Sequence, residues 1–378
     1  MDSSPQHSAP PTLCIAGDDT LAKHHGHKIG GAGLYRDAVR SSQKYPAYAW
    51  GLNWVVLALI VKVPALKDQF IALPILARLH PKENPPEKSS HSKKAPKTKP
   101  QGKGSQKKKS TVTLMEDMIR TVTSWLPEAP FVFCGDGAYA GLAGDLPKNV
   151  QVVSRIRRDA ALFGLPRLQP APTKGRPAKK GQRLLSPQEM ATRVGKRWKN
   201  YTIDLYGKIV VRQFYTYQAL WYEVCPHHLV KIVIVRDPEG QKEDEYFFTT
   251  DLNRSPEAIV FCYTGRWAIE VAFRETKQYL GMNEPQARKK EAVLRITPFC
   301  LGLNAVVKLW FLLESRQAQP LLLENDPWYP HKNTISFQDM LTSLRLHFWQ
   351  NFIFSKSTFQ DNSSKFDEFI VKSLSKVA

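Results

Sequence analysis

Short apolar runs that end in glycine and acids punctuate the first half of the chain. Leu13 to Ala16 runs into Gly17, Asp18, Asp19 and Thr20, and Phe131 to Cys134 runs into Gly135, Asp136, Gly137, Ala138 and Tyr139. Runs of this length bounded by turn residues predict buried strands with acids at their C-terminal tips. Between them, two apolar blocks in Tyr45 to Val63 flank Gly51 and Asn53, which predicts a hairpin turn, and Phe70 to Leu79 predicts another strand. Helical spacing takes over at Thr111: Leu114, Met118, Val122 and Trp125 form a stripe, Thr113 and Glu116 offer a capping box, and Pro127 ends the helix. Val150 to Ile156 predicts one more strand.

The pattern turns β-rich from Lys199 to Asp251, with a turn at Asp237-Pro238-Glu239-Gly240. Ser255-Pro256 then reads as an N-cap followed by proline at the first helical position, and Gly281 as the close of the helix it opens. Ala292 to Leu313 is apolar on nearly all sides, which predicts a buried helix starting or kinking near Pro298, and Phe337 to Trp349 has helical potential.

Composition sharpens this picture. The chain has 378 residues, 54 Lys+Arg against 34 Asp+Glu, a net charge of +20 and a pI of about 9.7, which points to a polyanionic partner. Lys82 to Ser110 holds ten Lys against two Glu and almost no apolar residue, so it reads as a disordered basic loop. The Gly175-Arg176-Pro177 core of Ala171 to Gly181 has the composition of a minor-groove binder, with an ordinary basic loop as the alternative. Five cysteines, an odd number spread widely, support neither a disulfide framework nor a structural zinc site, and suit a reducing, cytoplasmic setting. His24, His25 and His27 have no partner ligand at metal-site spacing. The longest apolar run noted, Val55 to Val61, is too short to span a bilayer.

The stretch Tyr263 to Lys277, YTGRWAIEVAFRETK, carries the candidate chemistry. On one helix, Tyr263, Arg266, Glu270 and Lys277 fall within roughly 60° of one line at about 100° per residue. A carboxylate between cations suits metal-assisted phosphate chemistry; a solvated salt ladder is the alternative. Asp18 or Asp19, Asp136 and Glu270 would together supply the carboxylates that two Mg²⁺ ions prefer.

YTGRWAIEVAFRETK resembles the Tyr-x2-Arg-x3-Glu-x6-Lys signature of bacterial DDE transposases of the insertion-sequence-four type, with all four members at their spacings. CIAGDDT and FVFCGDGAY are similar to the family's first and second Asp strands, and the resemblance covers most of Leu13 to Leu313. It implies an α/β, RNase H-like mixed sheet flanked by helices and interrupted by a β-rich insertion. It also implies Asp18, Asp136 and Glu270 as catalytic metal ligands, with Asp19 the alternative first acid, and Mg²⁺ as the cofactor in two ions, replaceable by Mn²⁺. Tyr263, Arg266 and Lys277 would contact phosphates at the transposon end, and Trp267 would stack on a distorted base.

The implied partners are double-stranded DNA, as transposon ends and target, and a second copy in a synaptic homodimer; the implied location is cytoplasmic and nucleoid-associated. The expected divisions are a first core part over 1–162, a basic loop and β insertion over 163–254, a second core part over 255–312 and a helical tail over 313–378. Complete relatives of this type carry an end-binding domain ahead of the first Asp, whereas 17 residues precede Asp18, so a truncated copy is expected. The alternatives are an inactive DNA-binding remnant and an RNase H-like nuclease that only hydrolyses.

Overall fold

The computed structural model describes residues 11–26, 28–37, 40–42, 44–66, 69–81, 109–166, 178–205, 208–317, 334–349 and 351. The Lys-rich segment over 82–108, His27, the Gly175-Arg176-Pro177 core and the tail beyond 351 lie outside them.

Five strands form the centre. β1 (Leu13–Lys23) pairs antiparallel with β3 (Tyr48–Val63), and β3 pairs antiparallel on its other edge with β4 (Gln69–His80) and the short β2 (Gly33–Arg36). On its second edge β1 runs parallel to β5 (Phe131–Gly135), and β5 runs parallel to β6 (Val150–Arg155). The order β4-β3-β1-β5-β6, three antiparallel strands followed by two parallel to the first, is the RNase H-like arrangement. β7 (Lys199–Leu205), β8 (Lys208–Ala219), β9 (Val230–Arg236) and β10 (Glu245–Thr249) form an antiparallel series that joins this sheet through β10 on β6. A seven-residue helix, α2 (Pro187–Arg193), precedes that series.

Strand alternation sends β1 side chains to two covered faces. Ile15 joins a core with Met115, Met118, Ile119 and Val122 of α1 (Thr111–Trp125). Ala16 joins a second core with Ala268, Ile269 and Ala272 of α4 (Trp267–Tyr279). Each fully buried Ile, Met or Val among them contributes about 1.5–3 kcal/mol, and each alanine less. Burial on both faces explains why the strands read as continuous apolar runs rather than alternating ones.

Several expectations change. β3 has no hairpin at Gly51–Asn53: Leu52 and Trp54 to Ala58 are buried in an unbroken strand. Gly51 is there for close approach, since a Cβ would sit 2.2 Å from the Ala22 carbonyl oxygen of β1. β1 does not end at Ala16 but continues through both acids to Lys23, held by its pairing with β3. Ser110, not Thr113, caps α1; its Oγ accepts the Thr113 amide at 3.1 Å, and Met115 and Ile119 replace the exposed Trp125 in the apolar stripe.

The expected single helix over the signature is two, α3 (Pro256–Gly265) and α4, joined at Arg266. Gly265 at the junction packs against Phe70 of β4, where a Cβ would lie 3.1 Å from the ring. Ser255 caps α3 and Gly281, at φ 65°, follows α4, as the sequence predicts.

α5 (Lys290–Gln317) contains Pro298 within its length and packs on β4, α4 and α6 (Phe337–Phe348). It is not buried all round, because Phe299, Leu303, Val306, Leu309 and Leu313 are exposed. By length and composition its Lys290–Glu314 part could cross a membrane, a length that the uninterrupted run Val55 to Val61 does not reach. Its buried Lys308 pairs with Glu275 of α4 at 2.6 Å and reaches the Ala72 carbonyl of β4 at 3.3 Å, which fastens α5 as a core helix of this fold.

Candidate active site

The parallel ladder between β1 and β5 ends at the pair Gly17 and Gly135. Asp18 and Asp136 are therefore the next residues on adjacent strands, carried out side by side at the C-terminal end of the ladder, where α/β sheets commonly place ligands. The glycines before them have a steric cause. A Cβ on Gly17 would lie 2.5 Å from Met115 of α1, and one on Gly135 would lie 2.9 Å from the Tyr139 Cβ. The repeated apolar-Gly-Asp pattern thus encodes close packing of α1 and the β5 exit, with the acid on the next residue.

α4 lies over the same end of the sheet and supplies Glu270, Phe273, Arg274, Lys277 and Gln278 to a cleft of about 640 Å³ shared with Asp18, Asp19, Thr20, Asp136 and Arg266. Four carboxylates and three cations thus share this space. Arg266 sits between two of the acids, its Nη1 donating to Asp18 Oδ2 at 2.6 Å and its Nη2 to Glu270 Oε1 at 2.8 Å. Asp18 Oδ1 accepts the Asp19 amide at 2.8 Å, and Asp136 Oδ1 accepts the Ala138 amide at 3.0 Å, capping a 3-10 helix over Gly137–Gly144.

Burial pushes the Asp18 carboxyl up to about 7, with Arg266 pulling it down and Asp136 adding repulsion. Desolvation also raises Asp19, with an opposing hydrogen bond from Asn53, but Asp19 is solvent-exposed and screened. Burial lowers Lys277, and neighbouring Lys23 lowers it further.

The sequence-predicted residues fall in three places. Asp18, Asp19, Asp136, Glu270, Arg266 and Lys277 share the acidic cleft. Lys277 is engaged within it, donating to Thr20 Oγ1 at 2.7 Å and the Leu21 carbonyl at 3.0 Å. Tyr263 faces a neighbouring groove of about 1120 Å³ with Arg155, Arg158, Lys208 and Arg212, and its ring lies under both Arg266 and Arg155. Trp267 is half-exposed and lines neither space. Arg274 and Gln278 were missed; their signal was the i+4 and i+8 spacing from Glu270. Arg155, which lines the groove with Tyr263, is the last residue of β6.

The donor set suits a hard divalent cation, being carboxylate oxygen throughout, with a desolvated Asp18 that needs a counter-charge. Arg266 supplies that charge here.

Residues 3–206 match the family model for a DDE superfamily endonuclease. Residues 211–315 match the model for "Archaeal putative transposase ISC1217". The first match contains Asp18, Asp19 and Asp136, and the second contains the helix pair with Glu270. No curated protein matches the chain.

Proposed function

Since the chain belongs to the DDE superfamily endonucleases, we propose that it is a DNA transposase of the insertion-sequence-four type. It cuts one strand at an element's end and directs the freed 3′-hydroxyl at a second phosphodiester. The observation that carries this reading is the shared cleft of Asp18, Asp136 and Glu270 beside Arg266, Arg274 and Lys277.

Asp18, Asp136 and Glu270 would hold two Mg²⁺ ions, or Mn²⁺ in their place. Bound there, the ions would activate the attacking oxygen and neutralise the leaving one. Asp18 is favoured over Asp19 as the first acid because it lies on the α4 face, pairs with Arg266 and is the more buried of the two. Asp136 is preset by its own turn, since the amide of Ala138 fixes one carboxylate oxygen.

Arg266 balances Asp18 and Glu270 in the free cleft and is positioned to share a phosphate with them when DNA enters. Arg274 and Lys277 extend the cationic side along α4, so the backbone would be gripped on one flank and cut on the other. Tyr263 would meet a flanking phosphate from the neighbouring groove, and exposed Trp267 would stack on an unpaired base. The substrate is double-stranded DNA, a synaptic homodimer would hold two ends, and the location would be cytoplasmic and nucleoid-associated.

The test is strand joining with a pre-cut 3′-hydroxyl end drawn from the DNA that flanks this reading frame. Mg²⁺-dependent joining to a plasmid is the expected result. Nicking without joining would leave a hydrolytic nuclease, and binding without either would leave an inactive DNA-binding protein.

A further inference from the structure

Three of the five cysteines meet on the face of the sheet that carries Asp18. Cys14 of β1, Cys134 of β5 and Cys262 of α3 place their sulfur atoms all within 4.8 Å of one another, and Cys14 Sγ lies 3.9 Å from Cys134 Sγ. They come from positions separated by up to 248 residues, so no Cys-x-x-Cys spacing announces them and the expectation of dispersed thiols does not hold in space. Cys225 and Cys300 behave differently: each is buried alone in an apolar core, the ordinary role of a free cysteine.

The geometry points to a thiolate metal site, with Cys14, Cys134 and Cys262 as three ligands of a Zn²⁺-class ion that fastens α3 to β1 and β5. Three sulfurs at about 2.3 Å from one centre lie roughly 3.8–4.0 Å apart, and the Cys14 to Cys134 separation falls in that range. A disulfide would need the same two sulfurs to close to about 2.05 Å and would leave the third thiol unused.

The site also has a charge partner. Arg254 Nη1 points at Cys262 Sγ from 3.7 Å, while its Nη2 donates to Gln151 at 3.0 Å and its Nε lies 3.5 Å from Asp251. Binding a divalent ion releases the three thiol protons to solvent and leaves a centre of one net negative charge, which a fixed guanidinium suits. Among the described residues no His, Asp, Glu or further Cys joins the three sulfurs, so a fourth ligand would have to be a water or another small molecule.

The location gives the ion a consequence. β1 continues from Cys14 to Asp18, β5 from Cys134 to Asp136, and α3 from Cys262 to Arg266. A clamp on the three sulfurs would therefore fix the relative positions of the segments that deliver two acids and their counter-ion.

The test uses the full chain, stripped of metal under reducing conditions and titrated with Co²⁺ in excess Mg²⁺. One equivalent should bind with a thiolate-to-cobalt charge-transfer band, and Zn²⁺ should bleach it. The band should disappear in Cys262→Ser and in Cys14→Ser, each checked for native circular dichroism, and persist in Cys300→Ser and in Asp136→Asn. Absence of the band in the wild type, its persistence in Cys262→Ser, or a Cys14 to Cys134 disulfide in anaerobically purified protein would each overturn the assignment.

Discussion

Arg266 and Asp18, 248 positions apart, form an ion pair of 2.6 Å at the floor of the cleft, and the same guanidinium reaches Glu270. Their side chains are 11% and 16% exposed, so the pair is desolvated and losing one partner strands a charge. Arg266→Ala should lower stability by about 2–4 kcal/mol and abolish strand cleavage. Arg266→Lys should recover part of the stability, because a single ammonium cannot fork to both carboxylates. Chemical denaturation of the two variants measures the difference.

The raised Asp18 carboxyl makes metal-free stability depend on pH. The folded group holds its proton up to about 7, whereas the unfolded group releases it near 3.8. Ionising Asp18 in the fold therefore costs stability, progressively between those two values, and the cost is fully present above about pH 7. In EDTA, the wild type should lose stability as pH rises from about 4 to about 7 and level off above it, and Asp18→Asn, which also leaves Arg266 without that partner, should lack this pH dependence. Mg²⁺ must displace that proton to bind, so the apparent Mg²⁺ affinity should fall as pH drops below about 7.

Gly17 tests the packing that delivers Asp18. A side chain there meets Met115 and Phe133 at 2.5 and 2.7 Å, so Gly17→Val should cost about 1–3 kcal/mol by overpacking. Restoring room with Met115→Ala in the same chain should recover part of the loss, read from denaturant midpoints.

Much of this arrangement was legible in the sequence. The apolar-Gly-Asp repeats located both acids, and the β-rich stretch located the strands inserted ahead of the Glu270 helix. Strand continuity was not legible: Gly51 reads as a turn residue, and only its approach to the Ala22 carbonyl shows it to be a packing position. The break at Arg266 was not legible either, and the close approach of Gly265 beside it to Phe70, nearly 200 residues earlier in the chain, leaves no local spacing to read. The cysteine cluster depends on three elements meeting, which no local spacing records.

Lys308 and Glu275 secure α5 beneath α4. Their side chains are 3% and 13% exposed, and Asn304 adds a hydrogen bond to Glu275 at 3.2 Å. Lys308→Ala should destabilise the fold by about 3–5 kcal/mol by leaving Glu275 buried without its cation. Glu275→Gln with Lys308→Met should cost less than the single change, and a double-mutant cycle in urea separates the two.

The claim that Asp18, Asp136 and Glu270 form one metal-dependent cutting centre is tested most directly by nicking of supercoiled DNA in Mg²⁺. Glu270→Gln and Asp136→Asn should each reduce the nicking rate by at least about a thousandfold, with circular dichroism and DNA affinity close to wild type. Wild-type nicking by Glu270→Gln would contradict the account.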